Sequence, residues 1–156
     1  MDRECIIFNI RYSLAMNRMQ ATLLNRVHGI AGLLMMVFGC MIAVFAEFNY
    51  FLGVSVIAIS GFLFVLKLGN VAALHSTYAK GFMLLYLRRD QMNTEDLTRE
   101  YQLLHDSSPP EAESLRNAAI LNANFWLKIN HGVCDHRAND VTISKWQALI
   151  ALLAGY

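Results

Sequence analysis

A short segment near the C-terminus contains four side chains of the types that bind metal ions, namely His131, Cys134, Asp135 and His136. A structural zinc site takes four ligands and usually draws a second pair from elsewhere in the chain. Cys5 or His105 would have to supply that pair, and no spacing indicates that either one does. The pattern therefore favours a polar connector over a metal site, and the sequence predicts neither a metal nor another cofactor.

Sequence motifs for other kinds of catalysis are absent. The chain has no phosphate-binding loop, no Gly-x-Ser-x-Gly elbow and no zinc-protease helix motif. His75 and His105 are interpreted as histidines of a helix surface or core. The sequence thus predicts a protein that is not an enzyme. A small membrane enzyme that uses His131, Cys134 and His136 remains a weaker hypothesis.

Two hydrophobic runs without charged residues dominate the chain, at residues 29–46 and 51–66. A helix needs about 20 apolar residues to cross a bilayer, and flanking residues extend each run toward that length. The sequence therefore predicts a transmembrane hairpin over residues 28–67. A buried hairpin in a soluble protein is disfavoured, because 156 residues can hardly surround two such helices. A cleaved signal peptide is disfavoured because the first run begins only near residue 29.

Basic residues flank the runs and are missing from the four residues that separate them. Arginines occur at positions 3, 11, 18 and 26, and Lys or Arg at positions 67, 80, 88 and 89. Because positive residues resist translocation, we expect a multi-pass protein of the cell inner membrane with both termini cytoplasmic. Arg26, Tyr50 and Lys67 are predicted to anchor the hairpin at the two interfaces. The few exoplasmic residues exclude a receptor for an external ligand.

The runs contain no ionisable residue, which argues against a coupled transporter. They do contain small residues, which allow membrane helices to approach closely. We favour packing of the two helices within one hairpin over contacts between subunits, although the two are compatible. The candidate pore-lining or helix-packing residues are Gly32, Gly39, Ala43, Gly53, Ser55, Ser60 and Gly61.

The remaining chain is helical in pattern. Residues 1–27 predict a cytoplasmic amphipathic helix, whose apolar seam is Ile7, Ile10, Leu14, Asn17, Ala21, Leu24 and His28. Residues 68–156 predict a cytoplasmic helical domain. It begins as a continuation of the second span, bent near Gly69 and Asn70, with a seam at Val71, Leu74, Tyr78, Phe82 and Leu85. Three further helices are expected, the first with Thr94 as its N-cap, the second beginning at Pro109 or Pro110, and the third capped by Thr142 or Ser144.

The expected fold is therefore an all-α integral membrane protein, with an N-terminal amphipathic helix, a two-helix transmembrane hairpin and a C-terminal cytoplasmic helical domain. A seam on the helix after Pro110 is predicted at Leu115, Ala119, Asn122, Trp126 and Ile129. The formal net charge of +1 gives no reason to expect a nucleic-acid partner.

This order of parts resembles the SLATT family. The resemblance rests on soft motifs that cover nearly the whole chain, which are Ala72, His75 and Tyr78, the Leu- and Pro-containing segment 103–115, Asn122, and Gln147, Leu149 and Leu153. It implies an oligomeric, pore-forming effector of bacterial antiviral defence or cell suicide. It also implies the lipid bilayer, further copies of the chain and a cytoplasmic sensor or nucleotide second-messenger system as partners. The alternative is a membrane-anchored scaffold or adaptor whose cytoplasmic helices bind a partner protein.

Overall fold

The computed structural model describes residues 2–44, 49–131 and 142–155, and within them all regular structure is helical. This confirms the predicted all-α class. The described residues form six α-helices in chain order: α1 (Arg3–Val44), α2 (Asn49–Leu66), α3 (Leu68–Arg88), α4 (Thr94–Asp106), α5 (Glu113–His131) and α6 (Lys145–Leu153). A 3-10 turn, Arg89–Gln91, follows α3.

The longest element is α1, whose 42 residues extend for about 63 Å. It contains no proline, and its helix passes without a break from the polar N-terminal part into the first apolar run. Its residues 3–27 pack with α3, α4, α5 and α6 in what we call the bundle. Its residues 28–44 pack with α2 in what we call the hairpin. One rigid helix therefore belongs to both parts of the molecule.

The bundle is built around the first half of α1. Ile10, Leu14, Asn17 and Ala21 of the predicted seam are buried, but so are all five consecutive residues 13–17, which cover every side of a helical turn. The sequence predicted one buried face, and that prediction is too narrow because α3, α4, α5 and α6 all contact α1. His28, the last member of the predicted seam, is exposed.

The seam of α3 differs from the predicted one. Six of its buried residues recur at alternating spacings of four and three, and Leu85 is buried beside them; the full set is Leu68, Ala72, His75, Ala79, Phe82, Leu85 and Tyr86. The predicted seam shares only Phe82 and Leu85 with this set. Leu74 is 45% exposed, because α3 turns His75 rather than Leu74 toward α1.

The interruption predicted at Gly69 and Asn70 lies instead at Lys67. Lys67 has φ 46° and ψ 40°, a left-handed conformation that costs an L-residue about 1–2 kcal/mol. Backbone hydrogen bonds close the helical turns on either side of it. The Lys67 N–H donates to the Leu63 carbonyl at 3.1 Å, and the Asn70 and Val71 N–H groups donate to the Lys67 carbonyl at 2.9 and 3.1 Å. The second apolar helix therefore ends, and α3 begins, at the same strained residue.

Polar caps define where the last helices begin. Asn93, one residue before the predicted cap, accepts a 2.7 Å hydrogen bond from the Asp96 N–H at the start of α4. Helix α5 begins at Glu113, which is later than the prolines predicted. The Gln20 amide of α1 donates to the Pro110 carbonyl and the Tyr12 hydroxyl donates to the Glu111 carboxylate, and these bonds hold the segment before α5 against α1. Ser144, one of the two predicted caps, forms a capping box at the start of α6.

Candidate functional site

The apolar surface of the hairpin is the largest feature that the fold leaves uncovered. The helices that form it are long and apolar enough to cross a membrane, and almost none of their most apolar stretches is buried inside the chain. Ile57 is 73% exposed and Phe64 is 80% exposed. Exposed apolar surface on this scale marks a membrane or protein interaction site.

Mostly bulky side chains lie between the two helices of the hairpin. A contact seam of less exposed residues recurs at spacings of three and four and comprises Ala31, Met35, Phe38 and Ile42 on α1 and Leu52, Val56, Ile59 and Leu63 on α2, and Gly32, Gly53 and Ser55 beside it are also partly buried. A Cβ atom added at Gly29, Gly32, Gly39, Gly53 or Gly61 would meet nothing within 4 Å, so each of these sites has open space for a larger side chain. The prediction that the small residues pack the hairpin together or line a pore stays a prediction.

The open small residues are not spread evenly around the hairpin. Each helix turns by about 100° per residue, so Gly32, Gly39 and Ala43 lie about a quarter turn from the contact seam of α1. Gly53 and Ser60 lie about a quarter turn from the seam of α2, and the larger Phe64 continues that line toward the bundle end of the helix. Because the two helices are antiparallel, both stripes fall on the same side, which we call the small-residue side.

The opposite side of the hairpin carries larger residues, namely Ile30, Leu34, Met41, Phe51, Phe62 and Leu66. The other two candidates lie away from the small-residue side. Ser55 lies on the opposite side, among the larger residues, and its hydroxyl donates a 2.9 Å hydrogen bond to the Phe51 carbonyl. Gly61 faces away from α1. Five of the seven predicted residues thus share one surface.

The predicted anchors lie at the two ends of the hairpin. Arg26 and Lys67 flank the end that joins the bundle, and Tyr50, 87% exposed, lies at the other end. The Arg26 guanidinium donates to the carbonyls of Leu152 and Leu153 at 3.1 and 3.0 Å. These bonds attach the C-terminal end of α6 beside the point where α1 enters the hairpin.

A buried polar pair joins α1 to α3 inside the bundle. Asn17 and His75 are 2% and 3% exposed, and Nδ1 of His75 lies 2.8 Å from Oδ1 of Asn17. Since Asn Oδ1 only accepts, the imidazole donates through Nδ1–H. The Asn17 amide donates in turn to the Ser13 carbonyl at 2.9 Å. Burial lowers the pKa of His75, which keeps the ring neutral.

The sequence pointed to Asn17 as a polar member of a seam but did not pair it with His75. Because a buried amide requires a hydrogen-bond partner, a seam that buries Asn17 already indicates that another polar side chain lies opposite it. The sequence offered several histidines, and only the packing of α3 on α1 selects His75.

The proposed metal-binding alternative lies mostly outside the described residues. Cys134, Asp135 and His136 are not described, and His131 is described only as the last residue of α5. Among the residues that are described, no group of three or more His, Cys, Asp or Glu side chains could hold a metal ion.

Comparison with known proteins adds no relative: no protein-family model, no curated protein and no solved structure matches the chain.

Proposed function

We propose that this chain is an oligomeric membrane effector that forms a poorly selective pore in the bacterial inner membrane. The observation that carries the proposal is the exposed apolar hairpin with one open small-residue side. The contact seam already occupies the surface between α1 and α2, so the small-residue side is available to another chain.

Lipid is the solvent that suits the rest of the hairpin surface. In water, side chains as exposed as Phe51 and Phe64 would cost free energy in proportion to their apolar area. In a bilayer this cost disappears, and the helices satisfy their own backbone hydrogen bonds. The Lys and Arg residues on the bundle side of both helices favour an orientation with the bundle in the cytoplasm.

A pore would require several copies, since two helices cannot enclose an aqueous path. Close approach between neighbouring chains is easiest where side chains are small, which favours the small-residue side as the subunit contact or as the channel lining. Such a lining has no charged side chain, so it would discriminate poorly among ions and would open and close by wetting. The role in bacterial defence, with a sensor or nucleotide second-messenger system as trigger, rests on the SLATT resemblance.

A matched pair of glycine substitutions tests the proposal. Gly39→Leu fills the small-residue side, whereas Gly61→Leu adds the same side chain on a surface that faces away from α1. Both sites have open space for a Cβ atom, and leucine is the better helix former, so neither change should disturb the fold.

We expect full-length protein in vesicles to release an entrapped small dye, and Gly39→Leu to slow that release at least tenfold while Gly61→Leu does not. Chemical crosslinking of the same vesicles should show that Gly39→Leu alters the oligomer. Equal release from both variants and the parent, or no release from vesicles that contain intact oligomers, would refute the pore.

An anchored scaffold is a second candidate, and one observation favours it. A groove of about 450 Å³ between α3 and α4 is bordered by Leu84 and Leu103, which are 56% and 64% exposed. Exposed leucines on a bundle outside the apolar runs suit a protein partner. Replacing residues 28–66 with two unrelated apolar helices separates the candidates, because a scaffold would keep its cellular activity and a pore would lose it.

A further inference from the structure

The bundle contains a cleft of about 750 Å³ that the pore proposal does not use. It lies between α1, α4 and α5, and the segment that joins α4 to α5 forms part of its wall. Its volume falls within the range of about 300–1,000 Å³ that small-molecule sites occupy. The cleft belongs to the bundle rather than the hairpin, so its chemistry can be assessed independently of membrane insertion.

Aromatic rings form much of the cleft wall. Phe8 and Tyr12 come from α1, and Tyr101 and His105 come from successive turns of α4. The rings of Tyr101 and His105 are stacked, with centroids 5.5 Å apart and planes 15° apart. Tyr101 is held from behind by Phe82, whose ring centroid lies 6.1 Å away, and its hydroxyl lies 3.4 Å from that of Ser13. The wall is therefore fixed in place before any ligand arrives.

Two carboxylates line the cleft beside these rings. Oε2 of Glu111 accepts a 2.8 Å hydrogen bond from the Tyr12 hydroxyl, and Glu113 lies two residues further along the chain. Among the described residues of the lining, Arg116 is the one Lys or Arg. Within the described part of the chain, neither glutamate forms an ion pair with it or with any other basic group. Burial and the Glu111 carboxylate raise the pKa of Tyr12, so its phenol remains a neutral donor.

We propose that this cleft binds a small organic cation with an ammonium group attached to an apolar or ring-shaped body. Aromatic faces attract an ammonium ion through their ring quadrupoles, and an adjacent carboxylate adds charge attraction. Two carboxylates against one guanidinium give the lining a net negative charge, which disfavours an anion of the same shape. The half-buried Ile120 and the edge of the largely buried Phe8 offer an apolar surface to the body of the ligand.

The probe for this site is benzyltrimethylammonium, with neutral benzyl alcohol and anionic benzoate as comparators of similar shape. Titration calorimetry on the full-length protein in detergent should detect the cation and neither comparator. Glu111→Gln keeps an oxygen that can accept from Tyr12 but removes the charge, and it should raise the dissociation constant for the cation at least tenfold. Glu95→Gln, an exposed glutamate on α4 outside the cleft, is the matched control and should leave binding unchanged.

Two further measurements keep the test decisive. The unfolding midpoint of Glu111→Gln should equal that of the parent, which separates a loss of binding from a loss of fold. Arg116→Gln should tighten cation binding, because it removes the opposing charge.

The proposal is overturned if benzoate binds more tightly than the cation and loses its affinity in Arg116→Gln, because the cleft would then be an anion site. It is also overturned if cation binding is the same in Glu111→Gln and Glu95→Gln, or if the cation does not bind at millimolar concentration.

Discussion

The hydrogen bond between Asn17 and His75 should be a principal determinant of bundle stability. Asn17→Leu removes the acceptor and leaves the His75 Nδ1–H buried without a partner. An unsatisfied buried donor costs about 1–3 kcal/mol, and the lost bond to the Ser13 carbonyl adds about 1 kcal/mol. We therefore expect Asn17→Leu to lower the free energy of unfolding by about 2–4 kcal/mol. His75→Leu should cost about as much, because it strands the Asn17 Oδ1.

The double variant distinguishes a hydrogen bond from simple packing. With both polar groups replaced by leucine, no buried donor or acceptor remains unpaired, and the cost should fall to about 1 kcal/mol. The coupling energy between the two sites should then be about 3 kcal/mol or more. Urea unfolding of the full chain in one detergent, followed by circular dichroism, measures all four corners of the cycle. Additive costs, with the double variant as unstable as the sum of the singles, would refute the reasoning.

The same pair predicts how stability depends on pH. Burial lowers the pKa of His75 in the folded chain below the 6.5 that it has in the unfolded chain. At pH values between the folded and the unfolded pKa, the unfolded chain therefore binds more protons than the folded one. Stability therefore rises with pH, and it is lost as the pH falls below about 6.5 toward the lower folded pKa. The slope is at most about 1.4 kcal/mol per pH unit. His75→Leu should flatten this dependence, and His28→Gln, at an exposed histidine, should preserve it. A parent protein equally stable at pH 5 and pH 7.5 would contradict this explanation.

Three other substitutions test the fold. Phe82→Ala empties a fully buried site and should lower the free energy of unfolding by about 3–5 kcal/mol. The control Leu84→Ala, at an exposed residue, should lower it by under about 0.5 kcal/mol. Equal urea midpoints for the two variants would contradict the burial of Phe82. Arg26→Met removes both hydrogen bonds to the end of α6, so amide hydrogen exchange in residues 145–153 should be faster than in the parent. Unchanged exchange would show that these bonds do not hold α6. Lys67→Gly relieves the left-handed backbone, so it should raise the free energy of unfolding by about 1 kcal/mol and raise the thermal midpoint with it. Lys80→Gly, within α3, should lower the free energy of unfolding by a similar amount. A loss of stability at both positions would argue against strain at Lys67.

The candidate site was only partly predictable. Small residues in an apolar run are visible in sequence, and the list that included Gly39 and Ser60 follows from composition alone. Which of them share a surface depends on where the contact seam falls. That seam is set by bulky residues such as Phe38 and Leu63, and every apolar residue of the runs looks equivalent until the two helices are packed. Their spacing alone separates Gly61 and Ser55 from Gly53 and Ser60 around the helix, but only the packing decides which face of the helix meets its partner.

The cleft of the bundle could not be predicted from the sequence for a similar reason. Tyr12, Tyr101 and Glu111 are far apart along the chain, and none belongs to a recognisable motif. Their side chains meet because α4 and α5 contact α1 at the same level, with the intervening segment held by Gln20 and Tyr12.

The sequence by itself determined the helical class and the two apolar helices, and it narrowed the cap of the last helix to Thr142 or Ser144, of which the structure uses Ser144, because hydrophobic periodicity and capping are local properties. Tertiary structure alone decided that the N-terminal half of α1 is buried on every face rather than on one, and that His75 faces Asn17. The physical reason is that burial of a helix depends on how many neighbours it has, and a helix that reads as amphipathic can still bury its polar side when a partner supplies the hydrogen bond.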